Sequence, residues 1–149
     1  MIKIPSSLVC EIYDHAEASY PNECCGLIVG TTDSDKNHVV HAVRRCKNLN
    51  LERARDRYLM DPQDQLRIMR EFENSPWDII GVYHSHPDHP SRASQTDTDR
   101  AMEIMASAWS YIIVSVQKGT AVGAQSWVLN EAEGKFNEEQ IVTSEGDSK

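Results

Sequence analysis

Residues 77–97, WDIIGVYHSHPDHPSRASQTD, decide how the rest of the chain is interpreted. The first half, WDIIGVYHSH, is rich in β-branched and aromatic residues, which predicts a central strand. The segment PDHPSRASQ contains two prolines and no hydrophobic period, so it predicts a loop. A helix should follow, capped by Thr96, with Asp99 three residues later as in a capping box. The stretch therefore predicts a strand, a loop and a helix, with polar side chains where the loop meets each element.

The polar side chains around this loop include a possible set of metal ligands. His84 and His86 stand two residues apart at the end of the predicted strand, so both rings should point to one face and Ser85 to the other. The loop is long enough to fold back and bring Asp97 to the two rings. Two histidines and one carboxylate leave a tetrahedral zinc ion with one open position, which is the catalytic arrangement. Zinc lowers the pKa of a bound water to about 7.

Two further residues complete a candidate hydrolytic site. Glu23 precedes a predicted buried strand and could take the proton of the attacking water. Ser94 lies in the loop and could donate a hydrogen bond to a developing oxyanion. Each residue alone has an ordinary interpretation: a chance His-x-His pair, a helix cap at Asp97, a loop serine and a solvated glutamate. The hypothesis depends on their occurrence together at this spacing. The other histidines are interpreted as surface or strand residues, in the case of His15, His38 and His41, or as a loop residue near the site that is not a ligand, in the case of His89.

The remaining pattern indicates a single mixed α/β domain. With 149 residues, of which 40% are hydrophobic and 26% charged, the chain can bury one core without needing disulfides or a structural metal for stability. Helices are expected after Pro5 and from Asp61-Pro62, the latter with Leu66, Met69 and Phe72 on its apolar face. Strands are expected at CCGLIVGT, HVVHAVRRC, SYIIVSV, AVGAQSWVL and KFNEEQIV, with a short one at 57–60. The domain should span residues 1–143, followed by a frayed tail at 144–149.

The composition argues against nucleic acid and membranes as partners and indicates a cellular compartment. The net charge of −8 disfavours nucleic acid and anionic membranes, although a basic region at 44–70 could meet an acidic protein. No C-x-x-C pair is present, so the four cysteines are expected to be reduced, buried thiols. The start of the sequence lacks the layout of a signal peptide, and no apolar run is long enough to span a bilayer. These features predict a cytoplasmic protein.

With these residues assembled, the chain resembles the JAMM (MPN-plus) metalloprotease family. The signature of that family is an upstream glutamate, then His-x-His-Pro, then a serine, two residues and an aspartate. It is filled here by Glu23, by 84–87 (HSHP) and by 94–97 (SQTD). The flanking segment YPNECCGLIVG also fits, and the resemblance covers roughly residues 2–142.

The resemblance implies a role for each signature position. His84, His86 and Asp97 would hold one Zn²⁺ per chain, Glu23 would be the general base, and Ser94 would stabilise the oxyanion. It also implies the JAMM/MPN fold, a mixed β-sheet flanked by helices and related to cytidine deaminases. The chain lacks the H-x-E and P-C-x-x-C pattern of the deaminases themselves, which argues against base deamination.

The resemblance further implies a substrate class. Family members cleave peptide or isopeptide bonds at the C-terminal glycine tail of ubiquitin-like or sulfur-carrier proteins. The compact, stand-alone prokaryotic type trims such a tail or releases cysteine from a carrier–cysteine adduct. The alternatives are a non-catalytic MPN-type protein-binding module and a hydrolase of the same mechanism with another substrate or role, such as a small peptide or a DNA-associated role, since RadC-like proteins share the metal signature. The carrier, the leaving group, the oligomeric state and the physiological metal stay open, since other divalent ions accept the same ligands.

Overall fold

The computed structural model describes residues 1–104 and 108–144, in which a mixed eight-stranded sheet is flanked by helices. The predicted mixed α/β class is confirmed. The elements in chain order are β1 (Ile2–Pro5), α1 (Ser6–Ser19), β2 (Cys25–Thr32), β3 (His38–Cys46), α2 (Pro62–Phe72), β4 (Asp78–Pro87), α3 (Gln95–Ile104), β5 (Ser110–Gln117), β6 (Thr120–Asn130), β7 (Lys135–Glu139) and β8 (Ile141–Ser144).

The strand order places β4 in the interior of the sheet. The order is β7-β6-β5-β4-β2-β3-β1-β8, and β4 pairs antiparallel with β2 and parallel with β5. Parallel neighbours need a crossover connection, which here contains α3. The edge strands β7 and β8 are separated only by Gln140, so the sheet must curl until its two edges approach each other.

Alternation along the strands divides the core into two layers. On one face, Ile12 and Ala16 of α1 pack with Ile28 of β2 and Tyr83 of β4. On the other face, the buried residues of α2 and α3 pack with the intervening strand positions. These residues are Leu27, Val29, Ile68, Phe72, Val82, Ala101 and Tyr111. Because side chains two apart share a face, His84 and His86 lie on the same face as Val82, beneath α2 and α3.

The predicted start of helix α2 is confirmed, but only part of its predicted apolar face is buried. The carboxylate of Asp61 accepts a hydrogen bond from the Gln63 N–H at 2.9 Å, and Pro62 is the first helical residue. Ile68 and Phe72, four residues apart, turn towards the sheet and are buried. Leu66 and Met69 are 47% and 54% exposed, so their assignment to the core was wrong.

Three strand predictions also differ from the structure. Residues 57–60 form no strand, and only Met60 pairs, in an isolated bridge with Asn48. The predicted strand KFNEEQIV divides at Gln140 into β7 and β8, which pair with β6 and β1 respectively. Strand β1 was not predicted, because four residues are too few to show a period. Its pairing with β3 and β8 depends on segments far away in the sequence.

The cysteines and histidines outside the signature lie partly where they were not expected. All four cysteines are free thiols, and three are buried, but Cys10 is exposed, so the buried-thiol prediction was wrong for that residue. His15, expected at the surface or in a strand, is instead a buried residue of α1, with Nδ1 2.7 Å from the Tyr83 hydroxyl. Residues 145–149 of the predicted tail lie outside the described residues, and Ser144 is the last residue of β8. None of the described helices has the length and apolar character needed to cross a membrane.

Candidate metal centre

The end of β4 presents the two histidine rings together. His84 is 1% exposed and His86 8%, and their Nε2 atoms lie 3.2 Å apart. Ser85 points to the opposite face, where its Oγ accepts a hydrogen bond from the Cys24 N–H at 2.8 Å. The alternation expected from the sequence therefore holds, and the bond to Cys24 ties the end of β4 to the start of β2.

Asp97 reaches the two rings from the first turn of α3. Its Oδ1 lies 3.2 Å from His84 Nε2, and its Oδ2 lies 3.2 Å from His86 Nε2. One atom from each of the three side chains falls within 4.8 Å of the others, and these residues are the one such group of potential metal ligands in the described part of the chain. The tertiary structure thus closes the loop that separates Asp97 from the histidines.

The spacing of these atoms fits a small tetrahedral cation. Nitrogen and oxygen ligands stand about 2.0–2.2 Å from zinc, so two ligands at a tetrahedral angle lie about 3.3 Å apart. The two Nε2 atoms are 3.2 Å apart, and each lies 3.2 Å from a different oxygen of the Asp97 carboxylate. The donor set, two imidazoles and one carboxylate, is one that zinc accepts with a fourth position open.

Neighbouring groups orient the rings and set the charge of the cluster. His86 Nδ1 lies 2.8 Å from the Pro90 carbonyl, which can only accept, so Nδ1 carries a proton, and Nε2 would be the atom that binds a metal. His84 Nδ1 is buried and has no hydrogen-bond partner among the described residues. Burial alone would raise the pKa of Asp97, but the charge of His84 and the hydrogen bonds from His84 and His86 hold this pKa well below its usual range. Asp97 is therefore a carboxylate anion facing two imidazole nitrogens.

The first turn of α3 holds Asp97 through Ser94. The Asp97 N–H donates to Ser94 Oγ at 3.1 Å, and the Ser94 N–H donates to Asp97 Oδ2 at 2.9 Å. This reciprocal pair is a capping box, with Ser94 as the N-cap. The predicted cap at Thr96 was wrong by two residues, because α3 begins at Gln95 and Thr96 lies inside its first turn.

Glu23 lies beside the cluster immediately before β2. It is 6% exposed, its N–H donates to the Ala54 carbonyl at 2.6 Å, and its carbonyl accepts from Asn48 Nδ2 at 3.1 Å. Burial raises the pKa of the Glu23 carboxyl to about 7, against the opposing effects of His84 and His86. A carboxyl group with a pKa near neutrality can both accept and release a proton.

Two cavities of different character flank the cluster. A cavity of about 400 Å³, hereafter the polar cavity, is lined by Glu23, His86 and Ser94 together with charged residues. A second cavity of about 290 Å³ is mainly apolar. It is lined by Leu27, Tyr58, Leu59, Met60, Gln65, Val82, His84, Asp97, Arg100, Ala101, Trp109 and Tyr111. The ligand candidates therefore have a cavity on each side: His86 borders the polar cavity, and His84 and Asp97 border the apolar one. Glu23 borders only the polar cavity.

Several residues that support the cluster were not expected from the sequence. The Tyr58 ring packs on His84 with centroids 4.8 Å apart, and the Arg100 guanidinium lies over the Tyr58 ring and donates to the Tyr58 main-chain carbonyl. Pro90 supplies the carbonyl for His86. Tyr58 lies in a weak apolar run of the sequence and Arg100 in a predicted helix, so no local pattern marked either residue as part of the site. His89, expected as a loop residue near the site, lines the polar cavity.

Comparison with known proteins assigns the chain to a family. The profile of Prok-JAB, described as prokaryotic homologs of the JAB domain, matches residues 5–130. The chain belongs to this family. The CysO-cysteine peptidase of Mycobacterium tuberculosis is 30% identical over 117 residues, which cover 78% of this chain and 75% of that protein. The desampylase of Haloferax volcanii is 28% identical over 126 residues, covering 84% of each chain.

Solved structures share the fold of this chain. The solution structure of a protein from Desulfitobacterium hafniense aligns with a TM-score of 0.78 at 29% identity, covering 97% of this chain and 94% of that one. A JAB1/MPN domain protein from Archaeoglobus fulgidus aligns with a TM-score of 0.59 at 17% identity over 97% of both chains. The second likeness concerns the fold alone, and it agrees with the predicted JAMM/MPN architecture.

Proposed function

We propose that this Prok-JAB protein is a zinc-dependent metallopeptidase. His84, His86 and Asp97 would hold the ion, and residues 1–143 would act as one catalytic domain. The observation that carries the proposal is the convergence of two Nε2 atoms and one carboxylate at 3.2 Å separations. A zinc ion at this position would supply Lewis-acid chemistry, polarising the scissile carbonyl and making water more acidic.

The chain's own residues account for the proton transfers of amide hydrolysis. Glu23 takes a proton from the attacking water, whose oxygen forms the new bond to the carbonyl carbon. The carbon–nitrogen bond then breaks, and Glu23 passes the proton to the leaving nitrogen, so a carboxylic acid and an amine form. The acid then gives its proton to the amine, and the products are a carboxylate and an ammonium ion. The pKa of about 7 suits a group that performs both transfers near neutral pH.

Ser94 has a second role in this scheme. Its Oγ accepts the Asp97 N–H, which leaves the hydroxyl proton free to donate to the oxyanion that develops on the carbonyl oxygen. Ser94 lines the same polar cavity as Glu23 and His86, so a substrate carbonyl there lies within the reach of all three.

The relatives support a ubiquitin-like or sulfur-carrier protein with a C-terminal glycine tail as the substrate. One relative is named a CysO-cysteine peptidase, and others are named desampylases. The net charge of −8 disfavours nucleic acid as the partner, in keeping with a protein substrate. Trimming of a tail and release of an amino acid from a carrier adduct are both hydrolyses of this kind.

The test combines metal analysis with cleavage of a defined adduct. The purified protein should contain one zinc ion per chain and should hydrolyse an amide bond that follows a Gly-Gly tail. His86→Ala should lose both the metal and the activity. The non-catalytic binding module predicts tail binding without hydrolysis, so binding of the adduct with no product over a long incubation would contradict the proposal.

A further inference from the structure

The polar cavity contains more positive charge than the proposed hydrolysis requires. Its lining includes Arg57 and Arg92, with His89 and His86, beside the carboxyl groups of Glu23 and Asp56. The proton transfers assigned above use Glu23 and Ser94, and leave the two arginines without a role. A pair of guanidinium groups in a concave site is a typical arrangement for binding a carboxylate.

The negative charge of Asp56 is already compensated from outside the cavity. Arg53 forms a two-point ion pair with it, with Nη2 2.5 Å from Oδ2 and Nε 3.2 Å from Oδ1. Arg57 approaches the same carboxylate only at 3.7 Å, and its Nη1 donates to the Asp56 main-chain carbonyl at 2.7 Å. Arg57 is therefore held in position by the backbone while most of its donors stay available.

Of the two arginines, Arg92 has the fewer polar contacts with neighbouring residues. It is exposed in the loop between β4 and α3, and within the described residues it forms neither an ion pair nor a hydrogen bond. The loop around it is anchored, because the Trp127 Nε1–H donates to the Ser91 carbonyl at 3.0 Å and Ser91 Oγ donates to Gln125 Oε1 at 2.9 Å. An unpaired guanidinium on an anchored loop can pair with an incoming anion without first breaking an existing contact.

The position of Glu23 indicates which side of the scissile bond would contact these arginines. The group that protonates the leaving nitrogen must lie beside it, and Glu23 lines the polar cavity but not the apolar one. The leaving group therefore occupies the polar cavity. Its volume of about 400 Å³ is in the range of small-molecule sites, which suits one amino acid better than the surface of a folded protein.

We propose that Arg92 and Arg57 form a subsite for the α-carboxylate of a leaving amino acid. The inference rests on the proposed peptidase function and refines its substrate class. The favoured substrate is a tail joined by an ordinary peptide bond to a single C-terminal amino acid. A lysine isopeptide bond is disfavoured, because its leaving amine sits on an aliphatic stem and brings no anion to the arginines.

Matched substrates test the subsite. A labelled peptide ending in Gly-Gly-Ala is compared with the same peptide ending in Gly-Gly-alaninamide, and with Gly-Gly linked to the side-chain amine of a lysine blocked at both termini. The zinc-loaded protein should hydrolyse the free acid with a kcat/KM about tenfold or more above the other two. Arg92→Gln should lower kcat/KM for the acid alone, bringing the ratio of acid to amide close to one. Arg70→Gln, an exposed arginine of α2 outside the described cavities, is the matched control and should leave the ratio unchanged.

Binding of the product gives a second readout that does not depend on turnover. Alanine should bind the zinc-loaded protein more tightly than alaninamide in a calorimetric titration, and Arg92→Gln should abolish that difference. Equal cleavage of acid and amide would overturn the subsite while leaving the peptidase function intact. Preference for the lysine-linked substrate would overturn it in favour of deconjugation. Cleavage of none of the three would contradict the proposed function, and Arg92-dependent alanine binding would then still support the subsite.

Discussion

Ser94 and Asp97 hold each other at the start of α3 by two reciprocal hydrogen bonds, of 2.9 and 3.1 Å. The same Asp97 oxygen that accepts the Ser94 N–H also faces His86 Nε2 at 3.2 Å. The helix cap and the candidate metal centre therefore share a carboxylate, and the cap fixes the direction from which that carboxylate approaches the rings.

Loss of the Ser94 hydroxyl should weaken metal binding as well as catalysis. Ser94→Ala removes the hydroxyl that accepts the Asp97 N–H, which typically costs about 1 kcal/mol of stability and loosens the turn that carries Asp97, although the main-chain N–H of residue 94 can still donate to the carboxylate. We expect the zinc dissociation constant, measured by competition with a chelating dye, to rise about tenfold. Thr96→Ala, within the same turn, is the control and should change neither quantity. An unchanged zinc affinity in Ser94→Ala would limit Ser94 to a role in oxyanion stabilisation.

Substitution of Glu23 should separate metal binding from turnover. Glu23→Gln keeps the size of the side chain but cannot carry a proton from water to the leaving nitrogen. We expect kcat to fall by about 100-fold or more while the zinc content stays at one ion per chain. Turnover is followed with the Gly-Gly adduct and metal by atomic absorption. If Glu23→Gln retained most of the activity, another group would have to be the base.

Zinc should stabilise the fold through Asp97. A ligand that binds only the folded state, at a free concentration 100 times its dissociation constant, adds about 2.7 kcal/mol to the free energy of unfolding. Thermal unfolding of the wild-type protein should therefore shift upwards with zinc and return on addition of a chelator. Asp97→Asn preserves shape but removes the charge, so its shift should be much smaller. An equal shift in both proteins would place the binding site elsewhere.

His15 should make stability depend on pH. Burial, with a smaller effect of Arg45, lowers the pKa of His15 to about 4, whereas the pKa of an exposed histidine is about 6.5. Between these values the unfolded chain binds a proton that the folded protein does not, so this contribution is complete above pH 6.5 and is lost as pH falls towards 4. From pH 7 to pH 5 the loss amounts to about 2 kcal/mol.

The measurement for His15 is urea unfolding at pH 7 and pH 5. His15→Gln should be less sensitive to this change than the wild-type protein, by about the amount given above. His41→Gln is the control, because His41 is exposed and stacks on Trp77 with ring centroids 4.9 Å apart. Equal pH sensitivity in the wild-type protein and His15→Gln would contradict the assignment.

Close strand contact at β4 should make Gly81 intolerant of a side chain. A Cβ at Gly81 would lie 2.1 Å from the main-chain carbonyl oxygen of Ser110 in β5, and backbone cannot move aside cheaply. Gly81→Ala should destabilise the protein by about 1–3 kcal/mol in urea unfolding. Gly123→Ala on β6 is the matched control, since nothing lies within 4 Å of its added Cβ. Similar stabilities of the two variants would show that β4 and β5 separate more easily than the pairing suggests.

Local patterns in the sequence were sufficient for most elements and for the ligand candidates. Alternation along a strand put His84 and His86 on one face, and Asp61-Pro62 marked the start of α2, because these features depend on neighbouring residues alone. The helix cap was misplaced at Thr96, since Ser94, Thr96 and Asp97 are all suitable caps. Only the hydrogen bonds of the folded turn distinguish them.

Contacts between distant segments were decided by the tertiary structure. Strand β1 exists because Ile2 pairs with both His38 and Ile141. Such pairings cannot be detected from the sequence, because four residues are too few to show the alternation of a strand. Arg57 and Arg92 line one cavity although they are 35 positions apart in the sequence, and no local pattern brings them together. The sequence by itself determined which side chains are available for chemistry. The three-dimensional path of the chain determined which of them meet, because the free energy of a long-range contact depends on the whole packed sheet.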